Sequence, residues 1–255
     1  MSDLPPFAPI EAPATWRAID FISDLHLHPA DGGTFDAWRH YMESTPADAV
    51  FILGDLFDVW IGDDAAATSG FGAECAQVLR SAARRVAVFF MHGNRDFLVG
   101  ERFLDGCGTT LVPDPSVLHF DGRRWVLTHG DALCLADTEY MQFRAQVRHP
   151  DWQRDFLAKP LEQRQAIARA LRQQSEDRKR SAAVFADVDP DAALAWLRGA
   201  GAQALVHGHT HRPADHVLGG RGWRAVLSDW DARAQPPRHQ VLRLTASGMQ
   251  RIDLK

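Results

Sequence analysis

Five short apolar segments of this sequence are each followed at once by residues of the types that bind metal ions. The polar blocks are Ser23-Asp24-Leu25-His26, Gly54-Asp55, Gly93-Asn94-Arg95, Thr128-His129 and Gly208-His209-Thr210-His211. Their carboxylate, carboxamide and imidazole groups form a mixed oxygen and nitrogen donor set, which suits Mn²⁺, iron or Zn²⁺ better than Ca²⁺ or Cu(I). Each pattern alone is weak, because Gly-Asp and Gly-Asn pairs often mark turns. We interpret the five together as a signal for a metal centre.

The segments that precede these blocks predict the strands that position them. Each is a short run of mainly apolar residues, typical of a strand buried on both faces. The runs cover Ala18–Ile22, Ala49–Leu53, Val86–Met91, Trp125–Leu127 and Ala204–Val206. Functional groups of layered α/β folds collect at the carboxyl ends of such strands, so we expect the five polar tips at one edge. Strand alternation predicts one common side for Asp24 and His26, and likewise for the pair His209 and His211.

The remaining segments predict helices between the strands and a β-rich C-terminus. Helices are expected over Phe35–Met42 and Phe71–Arg84, and several more between Tyr140 and Leu197, punctuated by Pro150, Pro160 and Pro190. Further strands are expected over Ala225–Leu227, Gln240–Leu244 and Met249–Leu254, with a turn at Ser247-Gly248.

Length and composition exclude several classes of protein. A chain of 255 residues can bury a core without disulfides, and its net charge of -5 argues against a protein that coats nucleic acid. The three cysteines form no CxxC pair, which favours a reducing compartment. Residues 1–15 are proline-rich and unlike a secretory signal, so we expect a flexible N-terminal tail there. No apolar run is long enough for a membrane span.

The helical segment carries its own charge. Residues 140–182 contain ten Arg or Lys and five Asp or Glu, so this segment is at +5 while the rest of the chain is at -10. Aromatic residues are interleaved with the basic ones. This composition fits an anionic, partly apolar partner, although an ordinary solvated helical face has the same pattern.

The five blocks resemble the signature of the calcineurin-like metallophosphoesterases. The resemblance implies an α/β fold, a four-layer α/β/β/α sandwich with two metal ions. In this sequence it would form a single domain over residues 16–255, with a helical lid insertion over about 138–198. The first ion would be bound by Asp24, His26, Asp55 and His211, and the second by Asp55, Asn94, His129 and His209.

One position departs from most of that family, which has histidine after the Gly-Asn pair. Here the residue is Arg95. Arginine is a poor proton donor but binds phosphate through a bidentate fork, so the site favours a leaving group that needs no acid. A phosphate monoester qualifies, and the favoured bond is therefore a pyrophosphate. The alternative is that Arg95 only pairs with Asp96 or a core aspartate.

The wider strings, such as Gly54-Asp-Leu-Phe-Asp-Val-Trp60 and His207-Gly-His-Thr-His-Arg-Pro213, resemble the UDP-2,3-diacylglucosamine diphosphatases. That family implies two Mn²⁺ per chain, a lid that holds two acyl chains, and attack of metal-activated water on the phosphorus nearer uridine. Catalytic roles would fall on Asp55, Asn94, Arg95 and His129, and substrate contacts on Asn94, Arg95, Asp137, Ser175, Lys179 and His209. The match to the family's lid pattern is shifted after Ser175. Ala182 stands where the family has lysine, and Lys179 or Arg180 could supply the positive charge of that lysine.

The resemblance also implies a place and partners. The lipid-nucleotide substrate would be the main partner, with peripheral contact to the cytoplasmic face of the inner membrane and with neither nucleic acid nor an obligate protein partner. From the sequence itself, His92 and His207 are expected to support the ligands by hydrogen bonding just outside the metal shell. Asp58 and Asp131 are expected to orient ligand imidazoles, with a plain surface position as the alternative for either. Two alternatives stay open: a broad nucleotide phosphodiesterase with the same metal core, and a non-catalytic binding module.

Overall fold

The structure is a computed structural model, and it describes residues 4–68, 70–181, 186–220 and 222–254, with the side chains of all of these except 67, 68 and 174–181. Within these ranges, none of the helices is both long and apolar enough to cross a membrane.

The first of two sheets holds the strands that end in the first three polar blocks. Its strands are β2 (Ala18–Ile22), β3 (Ala49–Leu53), β4 (Ala87–Met91), β5 (Thr110–Leu111), β11 (Gln240–Thr245) and β12 (Gly248–Asp253). Their order is β12-β11-β2-β3-β4-β5. Strands β2 to β5 run parallel, and β11 pairs antiparallel with both β2 and β12. The parallel register brings the loops after β2, β3 and β4 to one edge.

The second sheet holds the strands of the last two blocks. It contains β1 (Ala8–Glu11), β6 (Ser116–Phe120), β7 (Arg123–Leu127), β8 (Ala204–His207), β9 (Ala214–Val217) and β10 (Trp223–Val226), in the order β1-β6-β7-β8-β10-β9. Strands β7, β8 and β10 are parallel, so their carboxyl ends share an edge.

The helices are α1 (Gly32–Ser44), α2 (Asp63–Thr68), α3 (Gly70–Ala83), α4 (Glu101–Cys107), α5 (Thr138–Val147), α6 (Pro150–Leu157), α7 (Leu161–Ser181) and α8 (Pro190–Ala200), with a short 3₁₀ turn at Asp131–Leu133. Proline begins both α6 and α8, where its missing N–H costs nothing. Preceding residues cap these helices: the side chain of Asp189 accepts from Ala192 N at 2.8 Å.

Three apolar clusters define four layers. The first lies between the sheets and joins Phe21 and Phe51 of one to Leu127 and Val206 of the other. The second packs α1, α3 and α4 on the outer face of the first sheet, and the third packs α8 on the outer face of the second. The predicted α/β/β/α sandwich is confirmed.

Two boundaries differ from the sequence expectation. Residues 8–11 are not a loose tail, because β1 pairs in parallel with β6 at the sheet edge, where Pro9 is tolerated. The lid was also predicted to extend too far, to about residue 198. Helix α8 buries Ala193, Trp196 and Leu197 in the third cluster and therefore belongs to the sandwich. The single-domain assignment stays a prediction.

Candidate metal centre

The five polar loops converge at the shared edge of the two sheets. On one side of the cluster, Nε2 of His211 lies 3.3 Å from Oδ1 of Asp24 and 3.2 Å from Nε2 of His26. On the other side, Oδ1 of Asn94 lies 2.9 Å from Nε2 of His129 and 2.8 Å from Nδ1 of His209.

Asp55 lies between these two groups. Its Oδ2 is 3.9 Å from Nδ1 of His26 and 3.8 Å from Nε2 of His129. Its Oδ1 accepts a hydrogen bond from the backbone N–H of Arg95 at 2.8 Å. One carboxylate oxygen therefore faces both halves of the cluster.

The cluster is assembled across the seam between the sheets. The oxygen donors follow strands of the first sheet, whereas His129, His209 and His211 follow strands of the second. Contacts between backbone and side chain cross the same seam, since His209 N donates to Oδ2 of Asp24 at 2.9 Å and Nδ1 of His129 lies 2.9 Å from Leu53 O.

The backbone at these residues is unusual. Asp24, His26, Asp55, His209 and His211 all have φ between 48° and 66°, the left-handed region that non-glycine residues rarely adopt. They stand beyond the ends of β2, β3 and β8, so strand alternation is not what aims the paired side chains, and that explanation was wrong. Such strain, of order 1–3 kcal/mol per residue, concentrates at functional sites.

The glycines before the ligand residues permit this close approach. A Cβ on Gly93 would collide with the carboxylate and the backbone N of Asp55, and one on Gly208 would collide with Oδ2 of Asp24. At Gly54, where φ is 90°, a Cβ would lie 2.5 Å from Nδ1 of His129. The Gly-Asp, Gly-Asn and Gly-His pairs are thus a steric requirement of the cluster.

The side chains of the cluster are buried and crowded, so their charged forms are unfavourable unless an opposite charge lies nearby. Asp24 and His129 are fully buried and Asp55 is 2% exposed. Burial, reinforced by neighbouring carboxylates, raises the pKa of Asp55 to about 7. Burial also opposes the charged form of His129, but the carboxylates of Asp55 and Asp24 raise its pKa to about 9. Burial, together with the charge of His129, lowers the pKa of His209 to about 3.

These donors fit divalent cations. Two groups have all their ligand atoms within 4.8 Å of one another: Asp24 with His26 and His211, and Asp24 with Asp55 and His129. In the described part of the chain, no Lys or Arg forms an ion pair with Asp24 or Asp55. A divalent cation would offset the cost of burying both carboxylates. The chain thus carries a candidate dinuclear metal site of mixed oxygen and nitrogen donors.

Arg95 lies beside the cluster, and it makes one of the two contacts expected if its role were only to pair with an aspartate. Its side chain is 19% exposed and its NH1 lies 3.4 Å from Oδ1 of Asp58. Asp58 also pairs with Arg172 of α7. Arg95 therefore contacts a buried aspartate, although not Asp96, while it stands next to the ligand-type residue Asn94.

The helices α5 to α7 pack beside the site. The ring of Tyr140 stacks on that of His209 at 5.8 Å, and NH2 of Arg148 donates to Gly93 O at 2.8 Å. Asp137 caps α5 through a bond from Tyr140 N at 3.0 Å, and its predicted substrate contact stays a prediction. The side chains of Ser175 and Lys179 lie outside those that the structure describes.

The supporting residues differ from expectation. Asp131 and Asp58 were predicted to orient ligand imidazoles, and this is wrong. Asp131 accepts from Tyr140 Oη at 2.5 Å and from Nε of Arg144 at 2.8 Å, so it anchors α5. The histidines before the glycines bond to backbone instead: Nδ1 of His207 lies 2.8 Å from Gly208 O, and Nε2 of His92 lies 2.7 Å from Val99 O.

One residue of the site was missed. Asp229 follows β10, and its Oδ2 lies 3.7 Å from Nδ1 of His211. The apolar run Ala225–Leu227 had been recognised as a strand, but not the polar pair Ser228-Asp229 behind it. The same Ser-Asp pair follows β2 at residues 23 and 24, and that repetition was the available signal.

Sequence comparison agrees with this fold and cluster. Residues 18–213 match the family model of the calcineurin-like phosphoesterases, and the chain belongs to that family. Several curated relatives that are 41–46% identical to this chain are named UDP-2,3-diacylglucosamine hydrolase. The one from Bordetella pertussis is 44% identical, over 91% of this chain and 93% of its own, and the one from Ralstonia nicotianae is 43% identical over 96% of each. Among solved structures, an archaeal phosphodiesterase matches 93% of this chain and 99% of its own, with 13% identity and a TM-score of 0.45.

Proposed function

We propose that this protein hydrolyses the pyrophosphate bond of UDP-2,3-diacylglucosamine to 2,3-diacylglucosamine 1-phosphate (lipid X) and UMP, in lipid A biosynthesis. The observation that carries the proposal is the convergence of seven ligand-type side chains, with Arg95 rather than histidine at their rim. The names of relatives that are more than 40% identical over nine tenths of the chain support the substrate.

The proposed cofactors are two Mn²⁺ ions. Asp24, His26, Asp55 and His211 would hold the first, and Asp55, Asn94, His129 and His209 the second. The place of Asp55 Oδ2, within 4 Å of an imidazole from each half, supports its shared role. When bound, such ions supply Lewis acidity toward phosphoryl oxygens and make a water acidic enough to attack at neutral pH.

Arg95 binds and orients the diphosphate. Its guanidinium is positioned by Asp58. Because arginine is a poor proton donor, this group stabilises negative charge on a phosphoryl oxygen and transfers no proton. The leaving group is a phosphate monoester, which departs without a general acid because its second pKa is about 6. Water attacks the phosphorus nearer uridine, and its oxygen ends in UMP.

Helices α5 to α7 form the proposed lid over the lipid part of the substrate. Asp137, Ser175 and Lys179 are the proposed polar contacts on this side, with Asn94, Arg95 and His209 from the core. Two apolar side chains are exposed nearby, since Val59 follows β3 and Leu157 ends α6, at 45% and 40% exposure. Apolar groups of this kind suit acyl chains.

We also propose that the protein acts in the cytoplasm, in peripheral contact with the inner membrane. The charge of +5 over residues 140–182 supports this, because anionic lipid attracts basic segments by about 1 kcal/mol per charge. The proposal includes neither a nucleic-acid partner nor an obligate protein partner.

The test compares substrates and metals on one preparation. We expect EDTA-treated protein to be inactive on UDP-2,3-diacylglucosamine and Mn²⁺ to restore turnover. Water-soluble UDP-N-acetylglucosamine and a simple nucleotide diester should react at least about 100-fold more slowly. Hydrolysis in ¹⁸O-water should label UMP and leave lipid X unlabelled. Equal rates on the soluble diester would favour the broad phosphodiesterase instead.

Substitution of Arg95 separates its role from general folding. R95A should lose about 10²–10³-fold in kcat/KM, in line with the loss of one oxyanion donor. The matched control is R39A, because Arg39 is an exposed arginine paired with Asp36 on α1, away from the cluster. An R95A enzyme with unchanged kcat/KM would remove the phosphate-binding role.

A further inference from the structure

A sixth strand end completes the edge at which the five polar loops meet. The loop after β10 crosses from the second sheet to the first, where Trp230 N donates to Asp24 O at 3.1 Å. It also stays tied to its own sheet, because Leu227 N donates to His207 O at 2.7 Å. Asp229, between these two bonds, is only 8% exposed. The loop is therefore fixed against both sheets.

The two nitrogens of His211 face different partners. Nε2 points into the cluster, 3.3 Å from Oδ1 of Asp24, while Nδ1 lies 3.7 Å from Oδ2 of Asp229. His129 is arranged in the same way, with Nε2 toward the cluster, but its Nδ1 lies 2.9 Å from the carbonyl of Leu53. A carboxylate behind an imidazole fixes its tautomer and the orientation of its ring.

Arg238 holds the carboxylate of Asp229 in place. Its Nε donates to Oδ1 at 3.0 Å and its NH2 to Oδ2 at 2.7 Å, a bidentate pairing. The backbone of Arg238 is itself bonded to Asp231 in both directions, at 2.9 and 3.0 Å. The loop thus closes on itself and leaves Asp229 little freedom to turn away from His211.

We propose that Asp229, held by Arg238, is a positioning residue that orients His211 for metal binding. The inference rests on the proposed metal centre but not on the proposed substrate. It makes the two halves of the centre unequal, since a carboxylate supports His211 in the first and a carbonyl supports His129 in the second.

The test measures metal binding without substrate. Protein stripped with EDTA is titrated with Mn²⁺ and followed by calorimetry and by electron paramagnetic resonance. We expect D229N to bind one Mn²⁺ with the wild-type affinity and the other about 10–100-fold more weakly. At intermediate Mn²⁺, the signal of a spin-coupled pair should give way to that of a single ion. Asparagine keeps the size of the side chain and one acceptor for Arg238.

Matched variants separate positioning from loss of structure. D215N is the control, because Asp215 also pairs with an arginine, Arg251 at 2.6 Å, but on β9 away from the cluster. R238Q keeps the carboxylate of Asp229 but removes the bidentate pairing that holds it. We expect this variant to lower the affinity for the same Mn²⁺ ion by a smaller factor, and it provides a test even if D229N folds poorly. Urea unfolding in EDTA reports the stability of each metal-free variant.

The outcomes are distinct. Wild-type affinities for both ions in D229N and R238Q would overturn the proposal, as would equal weakening by D215N. If the wild-type chain bound fewer than two Mn²⁺, the metal centre itself would fail. Failure to hydrolyse the lipid nucleotide with two ions bound would remove the proposed substrate and leave this inference intact.

Discussion

The buried carboxylate of Asp96 accepts a hydrogen bond from the backbone N–H of Gly93 at 2.8 Å. The same oxygen accepts from Asp55 N, and the other from Phe57 N, each at 3.3 Å. One fully buried side chain therefore joins the loop after β3 to the loop after β4, and these loops carry Asp55 and Asn94.

Loss of this acceptor should destabilise the fold. D96N places an amide N–H₂ against backbone donors, so at least one buried N–H loses its partner, at a cost of about 1–3 kcal/mol. We expect this decrease in the free energy of unfolding, measured in urea with EDTA present. D105N, on an exposed position of α4, should stay within about 0.5 kcal/mol of wild type. Equal stabilities of the two variants would contradict the joining role of Asp96.

The glycine before Asn94 gives a second prediction. G93A should lose Mn²⁺ binding by at least about 100-fold, because the added Cβ would displace Asp55. G106A is the control: its Cβ would meet no atom within 4 Å, and alanine in this helix should add up to about 1 kcal/mol of stability. Metal titration and urea unfolding check both. A G93A protein with two tightly bound ions would refute the steric argument.

The buried ion pair between Asp20 of β2 and Arg243 of β11 gives a third prediction. Asp20 is fully buried and accepts from Nε and NH2 of Arg243 at 2.7 and 2.8 Å, and from the hydroxyls of Tyr41 and Thr45, each at 2.8 Å. D20A leaves these donors unpaired and should cost about 3–5 kcal/mol in urea unfolding. The double variant D20L/R243M should recover most of this loss, because no buried charge remains. An unfolding midpoint of D20A in urea equal to that of the wild type would show that the ion pair makes no net contribution to stability.

The pair between Asp187 and Arg224 should be visible in the pH dependence of stability. Partial burial opposes the charge of Asp187, but hydrogen bonds from Arg224 and from Val188 N hold its pKa below the usual value. A lowered pKa in the folded state stabilises the protein above the pKa of the unfolded state, about 3.9, and this contribution is lost as the pH falls through the folded value.

D187N should therefore be less stable than wild type at pH 7, by about 0.5–1 kcal/mol, because the carboxylate is partly exposed. The difference should shrink as the pH is lowered from 5 toward 3. Urea unfolding of both proteins across this range measures it, with D253N on the exposed edge strand as control. A difference that stayed constant with pH would show that the charge of Asp187 is not responsible.

The strand ends were the most predictable part of this molecule. A continuous apolar run followed by Gly-Asp, Gly-Asn or Gly-His is a local pattern, and the parallel order of β2, β3 and β4 brings such ends together. The partition of the strands into two sheets is set by long-range pairing, and only the family resemblance predicted it. The left-handed backbone at Asp24 and His26 was hidden because neither residue type signals it as glycine does.

Contacts between distant segments account for what the sequence did not reveal. Asp131 stands two residues from His129, yet its partners are Tyr140 and Arg144, which α5 brings to it. Strand β1 contains Pro9, which argues against a strand until a sheet edge is available for it. The Ser228-Asp229 pair was a local signal, but its place beside His211 depends on β10 running parallel to β8.

The cluster spans the seam between two sheets, and this has a mechanical consequence. Each half of the site takes side chains from both sheets, and the thickness of the apolar layer between the sheets sets how far apart those side chains stand. A larger or smaller side chain in place of Phe51, which packs between the sheets and stacks on Phe89, would shift imidazoles relative to carboxylates. The affinity of the candidate site for cations would therefore depend on the packing between the sheets as well as on the ligands themselves.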